Sequence, residues 1–340
     1  MTPESPFPES RRPAIDRALI AAFGATVLDS VAPLSGGLSA ALVYRIRMGG
    51  IAYLLRLDGP SDHFRDPERW YACMQVAADA FLAPRVRYAC AADGVAIMDF
   101  IPEQSISFDY AGTRSDMVVE LAQAVRALHQ TEPFPVLVDY LDALDGLIGQ
   151  LRASGLVAAD TLAEPLARHA ELAAVYRRLP ADLVSSHNDL NPRNILYDGT
   201  RLWLVDWESA FLADRWVDLA TVANFFTTDP AEEEVLLRTY FGEAPDAARR
   251  ARMFLARQIN HVFYGVLFLI GVAAERPGAR LPGSSLEAPP LREIHRALGE
   301  GAFALETWEN RATYGQARLM AASANFTAPA CAQAIAALGA

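Results

Sequence analysis

Lysine is absent: all 30 basic residues of the 340-residue chain are arginine. That removes P-loop NTPases, which grip phosphate with a lysine, and it removes lysine Schiff-base chemistry. Cysteine is scarce. Cys73, Cys90 and Cys331 are odd in number and lack metal-type spacing, so they read as free thiols of a reducing cytoplasm. Low-complexity runs and fixed-period repeats are missing, which excludes solenoids and propellers. Met1 to Arg12 is rich in Pro, Glu and Ser without an apolar core, unlike a signal peptide. The uncharged run Val262 to Ala274 falls short of the roughly 20 residues of a membrane span and reads as a buried helix. Positive charge is in deficit, with a formal net charge of −11. Such a field disfavours nucleic acid as a partner and favours a cationic one.

What is present is 52% hydrophobic, enough for two packed lobes. Residues 1–101 read as strands with one helix inserted, after a short amphipathic helix at Pro13–Phe23. The apolar runs Thr26–Leu34, Ala41–Met48 and Ile51–Leu57 are separated by Gly36-Gly37 and Gly49-Gly50, which predicts a three-stranded antiparallel meander. Pro67–Ala80 reads as a helix with proline in its first turn. Arg85–Cys90 and Gly94–Phe100 read as two more strands. Residues 102–340 carry helical periods, as in Val118, Leu121, Val125 and Leu128. Helices are expected over Val136–Leu151, Thr161–Leu179 and Leu291–Trp308, with a linker near Pro102–Gly112. One β interruption, Asn194–Asp206, carries Asp198-Gly199 between apolar runs, a hairpin signal.

Chemistry concentrates around that hairpin. Ser186-His187-Asn188-Asp189-Leu190-Asn191-Pro192-Arg193-Asn194 is followed by Leu204-Val205-Asp206-Trp207-Glu208. Asp189 precedes Asn194 by five positions, the spacing of base and metal-binding Asn in kinase catalytic loops, and Asp206 follows twelve later. The hairpin would fold Asp206 back beside Asn194. Their oxygens could share Mg²⁺, while Asp189 orients an acceptor hydroxyl and takes its proton. Each residue alone is unremarkable for a surface turn; spacing and context together carry the reading.

These motifs, over about Val31 to Gly271, resemble the choline kinase and aminoglycoside phosphotransferase group. The resemblance implies a bilobal protein-kinase-like α+β fold: an N-lobe antiparallel sheet with one helix, and a larger, mostly helical C-lobe. It implies ATP and Mg²⁺. Ser35, Gly36 and Gly37 resemble the nucleotide-covering loop, though two glycines alone would equally be a hairpin turn. Arg56 in Leu54-Leu55-Arg56-Leu57 stands where protein kinases carry their phosphate-binding lysine. Glu68 is its expected helix partner, with Asp66 a rival. Met98, Asp99 and Phe100 match the adenine hinge. Asp189 stands as the catalytic base, His187 as a brace of the same loop beside Arg193, and Asn194 with Asp206 as the metal pair. Asn188 before the Asp is commoner in choline kinases, Gly in aminoglycoside kinases. Asp218 is expected to brace the loop.

For the acceptor, Trp207, Glu208, Phe225 and Tyr264 are candidates, with Phe226, Asn260 and Phe268 nearby in sequence. Aromatic faces could hold a quaternary ammonium. The helix holding Tyr264 and Phe268 lacks the Trp that choline-kinase-like proteins often carry there, and a purely packing role for Phe263 to Ile270 fits as well. Three functions follow: an amino-alcohol kinase of choline or ethanolamine type, an aminoglycoside or other antibiotic kinase, or a nucleotide-binding pseudokinase.

Overall fold

The computed structural model of the chain describes residues 6–34, 41–102, 106 and 110–339. It is mixed α+β, with an antiparallel N-terminal sheet and a helical C-terminal part. Two compact units divide it. One comprises Met1–Thr113, Ala124–Leu137 and Val184–Leu212; the other comprises Arg114–Gln123, Val138–Leu183 and Ala213–Ala340.

The first unit opens with α1 (Arg12–Phe23), β1 (Ser30–Leu34), β2 (Leu42–Met48), β3 (Ile51–Leu57), α2 (Pro67–Asp79), β4 (Val86–Cys90) and β5 (Val95–Asp99). The sheet order is β1-β2-β3-β5-β4. The expected meander is therefore present and extended by β5 beside β3. Between β2 and β3, Gly49 and Gly50 take φ of 59° and 78°, and Met48 faces Ile51. Two consecutive left-handed positions are what a tight twisted hairpin requires, and glycine meets them without a Cβ clash. Alternate residues Tyr53, Leu55 and Leu57 are buried with Tyr44, Ile46, Val95 and Ile97 against Ile15 and Leu19 of α1. β1 starts at Ser30, later than expected; just before it the Asp29 carboxylate accepts the Gly50 N–H at 2.8 Å.

Asp66 starts α2 by accepting the Glu68 N–H at 3.0 Å, and Pro67 fills the first turn. Trp70, Tyr71, Cys73, Met74 and Ala77 form its buried face. Cys73, Cys90 and Cys331 are free, and burial pushes the Cys73 thiol up to about 12.

The chain continues through α3 (Arg114–His129), α4 (Tyr140–Ser154), α5 (Ala159–Val175), β6 (Leu183–Ser186), β7 (Ile195–Tyr197), β8 (Leu202–Leu204) and β9 (Phe211–Asp214). α4 begins four residues after the expected Val136, because Asp139 caps the N–H groups of Leu141 and Asp142. The β7–β8 hairpin forms as predicted, with Ile195 opposite Leu204. Asp198 closes it. Burial opposes its ionisation, but hydrogen bonds from Thr200, Trp203 and Arg201 outweigh burial and hold the carboxyl at about 2. Leu204 N–H donates to Leu82 C=O at 2.8 Å, tying the hairpin to the turn after α2.

The helical unit holds α6 (Arg215–Phe226), α7 (Pro230–Phe241), α8 (Ala247–Glu275), α9 (Leu291–Gly299), α10 (Trp308–Phe326) and α11 (Pro329–Gly339). The single helix expected over Leu291–Trp308 is not continuous. α9 ends at Gly299, Gly301 takes φ of 69°, and Thr307 caps a new helix through the Asn310 N–H. α8 is longer than the run Val262–Ala274 suggested. Among the described residues it is the one helix long and apolar enough to cross a membrane, by length and composition; 67% of its most apolar window is buried inside the protein, as in a core helix. α8 and α10 cross closely. A Cβ on Gly265 would meet Leu319 Cγ at 2.8 Å and Gly315 O at 3.0 Å; one on Gly315 would meet Leu269 Cγ at 2.8 Å. Glycine at both positions lets the backbones approach, setting Tyr264 and Tyr314 beside the crossing.

Candidate active site

The loop after β6 is held by its own polar side chains. Asn188 takes φ of 63°, a left-handed conformation that asparagine and glycine tolerate best. Its side chain accepts from Ser186 Oγ at 2.8 Å and donates to Ser209 O at 2.9 Å. This gives a physical reason for Asn or Gly before the loop aspartate. His187 is fully buried; its Nε2 lies 2.9 Å from Val205 O and its ring packs on Trp207 at 4.7 Å. It occupies a bracing position.

Asp189 is held at both oxygens. Asn191 Nδ2 donates to Oδ1 at 3.0 Å, and Asn194 Nδ2 donates to Oδ2 at 3.0 Å and to the Asp189 carbonyl at 2.9 Å. Both donors are neutral amides, so the carboxylate is fixed in direction without a cation bonded at those contacts. Asn191 also caps the short 3₁₀ turn Pro192–Asn194 by accepting the Arg193 N–H at 2.9 Å. Arg193 itself is exposed. Because Asn194 spends its Nδ2 on Asp189, its Oδ1 is the atom left for a ligand.

Val205 N–H donates to Asn194 C=O at 3.0 Å, which brings Asp206 into register next to Asn194. Asp206 takes φ of 66° and ψ of 70°. A non-glycine residue in that region costs conformational energy and clusters at functional sites.

Arg56, on β3, reaches three carboxylates: Asp58 Oδ1 at 2.7 Å, Asp206 Oδ1 at 3.4 Å, and Glu208 Oε1 through Nη2. Here the structure corrects the sequence reading. The partner of Arg56 is not Glu68, whose side chain takes no ion pair among the described residues, and Asp66 serves as the α2 cap. α2 reaches Arg56 indirectly, through the Tyr71 hydroxyl donating to Asp58 Oδ2. Burial first, then Asp58, raises the Tyr71 hydroxyl far above its ordinary range and keeps it a donor. Arg11 Nη1 donates to the Asp58 carbonyl at 2.8 Å. α2 also grips the backbone after Asp206: buried Arg69 donates to the carbonyls of Ala210 and Glu208 (2.9 Å), and to that of Phe64 (2.7 Å) just before its own helix. Asp58, Tyr71 and Arg69 escaped the sequence reading. The available signal was polar residues on an otherwise buried helix face.

Other expectations fall out unevenly. Ser35, Gly36 and Gly37 lie outside the described residues. Met98 and Asp99 end β5, paired with Leu54 and Tyr53, and Phe100 lies just past the ladder. Asp99 is taken by Arg87 at 2.6 Å, and its N–H by Arg85 O. Trp207 is not available to an acceptor: it is 4% exposed and packs on His187 and Phe134. Glu208 is engaged by Arg56. In the helical unit, Asn260 is committed to Thr221 Oγ1 and Asn224 Nδ2, both at 2.9 Å. Asp218 is fully buried on α6. Phe225 and Tyr264 meet edge to face with centroids 5.9 Å apart.

A magnesium ion fits the donor set of the first unit. Asn194 Oδ1 and Asp206 are hard oxygens, and three carboxylates around one guanidinium leave a local surplus of negative charge. No cluster of three or more His, Cys, Asp or Glu forms a metal cage among the described residues. That suits an ion that keeps water and substrate phosphates as its remaining ligands.

No curated protein sequence matches the chain. Solved structures share its fold. A choline/ethanolamine kinase family protein from Mesorhizobium loti is 21% identical, covers 97% of this chain and 98% of its own, and has a TM-score of 0.69. A Plasmodium vivax ethanolamine kinase is 16% identical over 92% of this chain and 86% of its own, with a TM-score of 0.61. An aminoglycoside kinase, APH(2")-IIa in a ternary complex with streptomycin and ATP, is 16% identical over 78% and 91%, with a TM-score of 0.57. Residues 30–254 match the sequence family described as the phosphotransferase enzyme family, and they span Arg56, Asp189, Asn194 and Asp206; the chain belongs to that family.

Proposed function

We propose that the chain transfers the γ-phosphate of ATP to a hydroxyl of a small molecule. The observation that carries the reading is the arrangement of Asp189, Asn194 and Asp206, with Arg56 joined to Asp206. Asp189, aimed by Asn191 and Asn194, accepts the acceptor hydroxyl proton as the oxygen bonds to the γ-phosphorus and the bond to the β-bridging oxygen breaks, releasing ADP. Arg56 turns its fork from Glu208 to the nucleotide phosphates, a geometry that suits phosphate oxygens. Asn194 and Asp206 would hold Mg²⁺, which neutralises phosphate charge when bound. Of the hinge residues Met98 to Phe100, the first two are engaged in the β5 ladder, so Phe100 would present backbone groups to adenine.

The finer assignment, an amino alcohol of choline or ethanolamine type, is supported by the names of two neighbours; the name of a third supports an aminoglycoside. The test is ADP release with Mg-ATP against amino alcohols, aminoglycosides and hydroxy acids. Turnover on a member of the panel, lost in Asp189→Ala, is expected. Mg-ATP binding without turnover on any acceptor would favour the pseudokinase alternative.

A further inference from the structure

The helical unit contains a buried cation with no counter-ion among the described residues. Arg318, on α10, is fully buried. Its Nε and Nη2 both donate to Tyr314 Oη, at 3.0 and 2.7 Å, and Nη1 lies 3.1 Å from His261 Nδ1. The guanidinium carbon faces the rings of Phe225, Tyr264 and Tyr314 at 4.5, 4.9 and 5.2 Å. The other buried arginines have stronger acceptors. Arg69 takes backbone carbonyls, and Arg252 takes Asp182, Asp214 and the Arg177 carbonyl. Arg318 has no carboxylate and no backbone carbonyl among the described residues. A guanidinium has five N–H donors, so two remain uncommitted.

A desolvated charge without an opposite charge is costly, and aromatic faces with two neutral acceptors offset only part of it. Neighbouring histidines do not alter the balance. Burial first, then Arg318, lowers both His261 and His295, the latter to about 3, so neither adds charge. His295, on α9, stacks on Phe225 at 5.0 Å and lies 3.3 Å from Tyr314 Oη. α9 therefore covers the Phe225 ring, and the turn at Gly301 ends that cover.

We propose that Arg318 binds an acidic group, carboxylate or phosphate, of the small-molecule ligand. The uncommitted fork supplies two parallel donors, which match an acidic group. The same arrangement disfavours choline, because the rings that would receive a quaternary ammonium already face a cation, and two positive charges would meet at one set of buried rings. Because Arg318 is fully buried, a ligand reaches it only if its cover, which includes His295 of α9 on the Phe225 ring, is displaced.

The test compares binding to the full chain, in the presence of a non-hydrolysable ATP analogue and Mg²⁺. Probes are D-glycerate, L-serine and 4-hydroxybutyrate, the neutral amide of each, glycerol 3-phosphate, choline and ethanolamine. At least one acid is expected to bind tenfold or more tighter than its amide, and choline to bind most weakly. The glycerate and glycerol phosphate arms separate carboxylate from phosphate. In Arg318→Met the acid-to-amide ratio falls to about one, while nucleotide binding is retained. Equal affinity for acids and amides in the wild type overturns the proposal without needing the variant, as does an acid preference that survives in Arg318→Met. Phosphorylation of choline with no binding of any acid removes this inference and leaves phosphotransfer standing. Acid binding with no ADP release for any probe keeps Arg318 as an anion site and removes phosphotransfer.

Discussion

Two arginines show how differently the two units treat a guanidinium. Arg56 is surrounded by more negative charge than it can neutralise: Asp58, Asp206 and Glu208. Arg318 has no acid among the described residues. The first environment is suited to gaining cations and phosphate together, since an incoming metal relieves the carboxylates while phosphate takes the arginine. The second is suited to gaining one anion. In both places charge is unbalanced among the described residues, and the ligands proposed above are of the sign that balances it.

The largest expected effect breaks the acid-rich side. Asp206→Ala should lower kcat/KM on the order of a hundredfold or more and abolish the thermal shift given by Mg-ATP. An unchanged shift would mean the surplus carboxylates do not serve the nucleotide. Next is the frame of the acid-free side. Gly315→Ala forces a Cβ into Leu269 and the Gly265 carbonyl. It should destabilise by about 1–3 kcal/mol in urea unfolding, and loosen the ring cluster around Arg318. A midpoint equal to wild type would place the helix crossing elsewhere.

A third effect is pH dependence. His261 and His295 have lowered folded pKa values, so on acidification the unfolded chain takes up protons first. Stability should therefore be intact above about pH 6.5 and fall below it, by roughly 1.4 kcal/mol per pH unit for each histidine. His169, lowered by burial, adds a slope of the same sign. Arg318→Met should raise both folded pKa values, because Arg318 contributes to those two shifts, and so reduce the total stability lost on acidification rather than its slope. An identical total loss would show that Arg318 carries no field there. The smallest effect is Glu208→Gln. Releasing Arg56 from one carboxylate should tighten nucleotide binding without Mg²⁺ a few-fold, in keeping with a partly exposed ion pair of about 1 kcal/mol or less; weaker binding would make Glu208 a ligand rather than a competitor.

The acid-rich region was largely legible in the sequence and the acid-free region was not. The glycine and Asp-Gly turns specify local backbone, and the spacing of Asp189, Asn194 and Asp206 is fixed by a short hairpin, so near neighbours in sequence become near neighbours in space. Glu68 failed as the Arg56 partner because the real link runs through Asp58 and Tyr71, and Asp58 in Leu57-Asp58-Gly59-Pro60 reads as an ordinary turn residue. Trp207 reads as an exposed aromatic beside the metal loop, yet it fills the space under His187. Arg318 lies more than fifty positions from Tyr264 and His261, its partners across the helix crossing, and no local pattern encodes that meeting. The trace that existed was an arginine in phase with the apolar positions Tyr314 and Ala322 of one helix.

Proton transfer from an acceptor hydroxyl to Asp189 is the step on which the proposed phosphotransfer depends. Single-turnover phosphate transfer in Asp189→Ala, set beside Mg-ATP affinity of the same variant, tests it directly. Transfer is expected to fall about 10²–10⁴-fold with nucleotide affinity within a few-fold of wild type. Transfer at near the wild-type rate would contradict it.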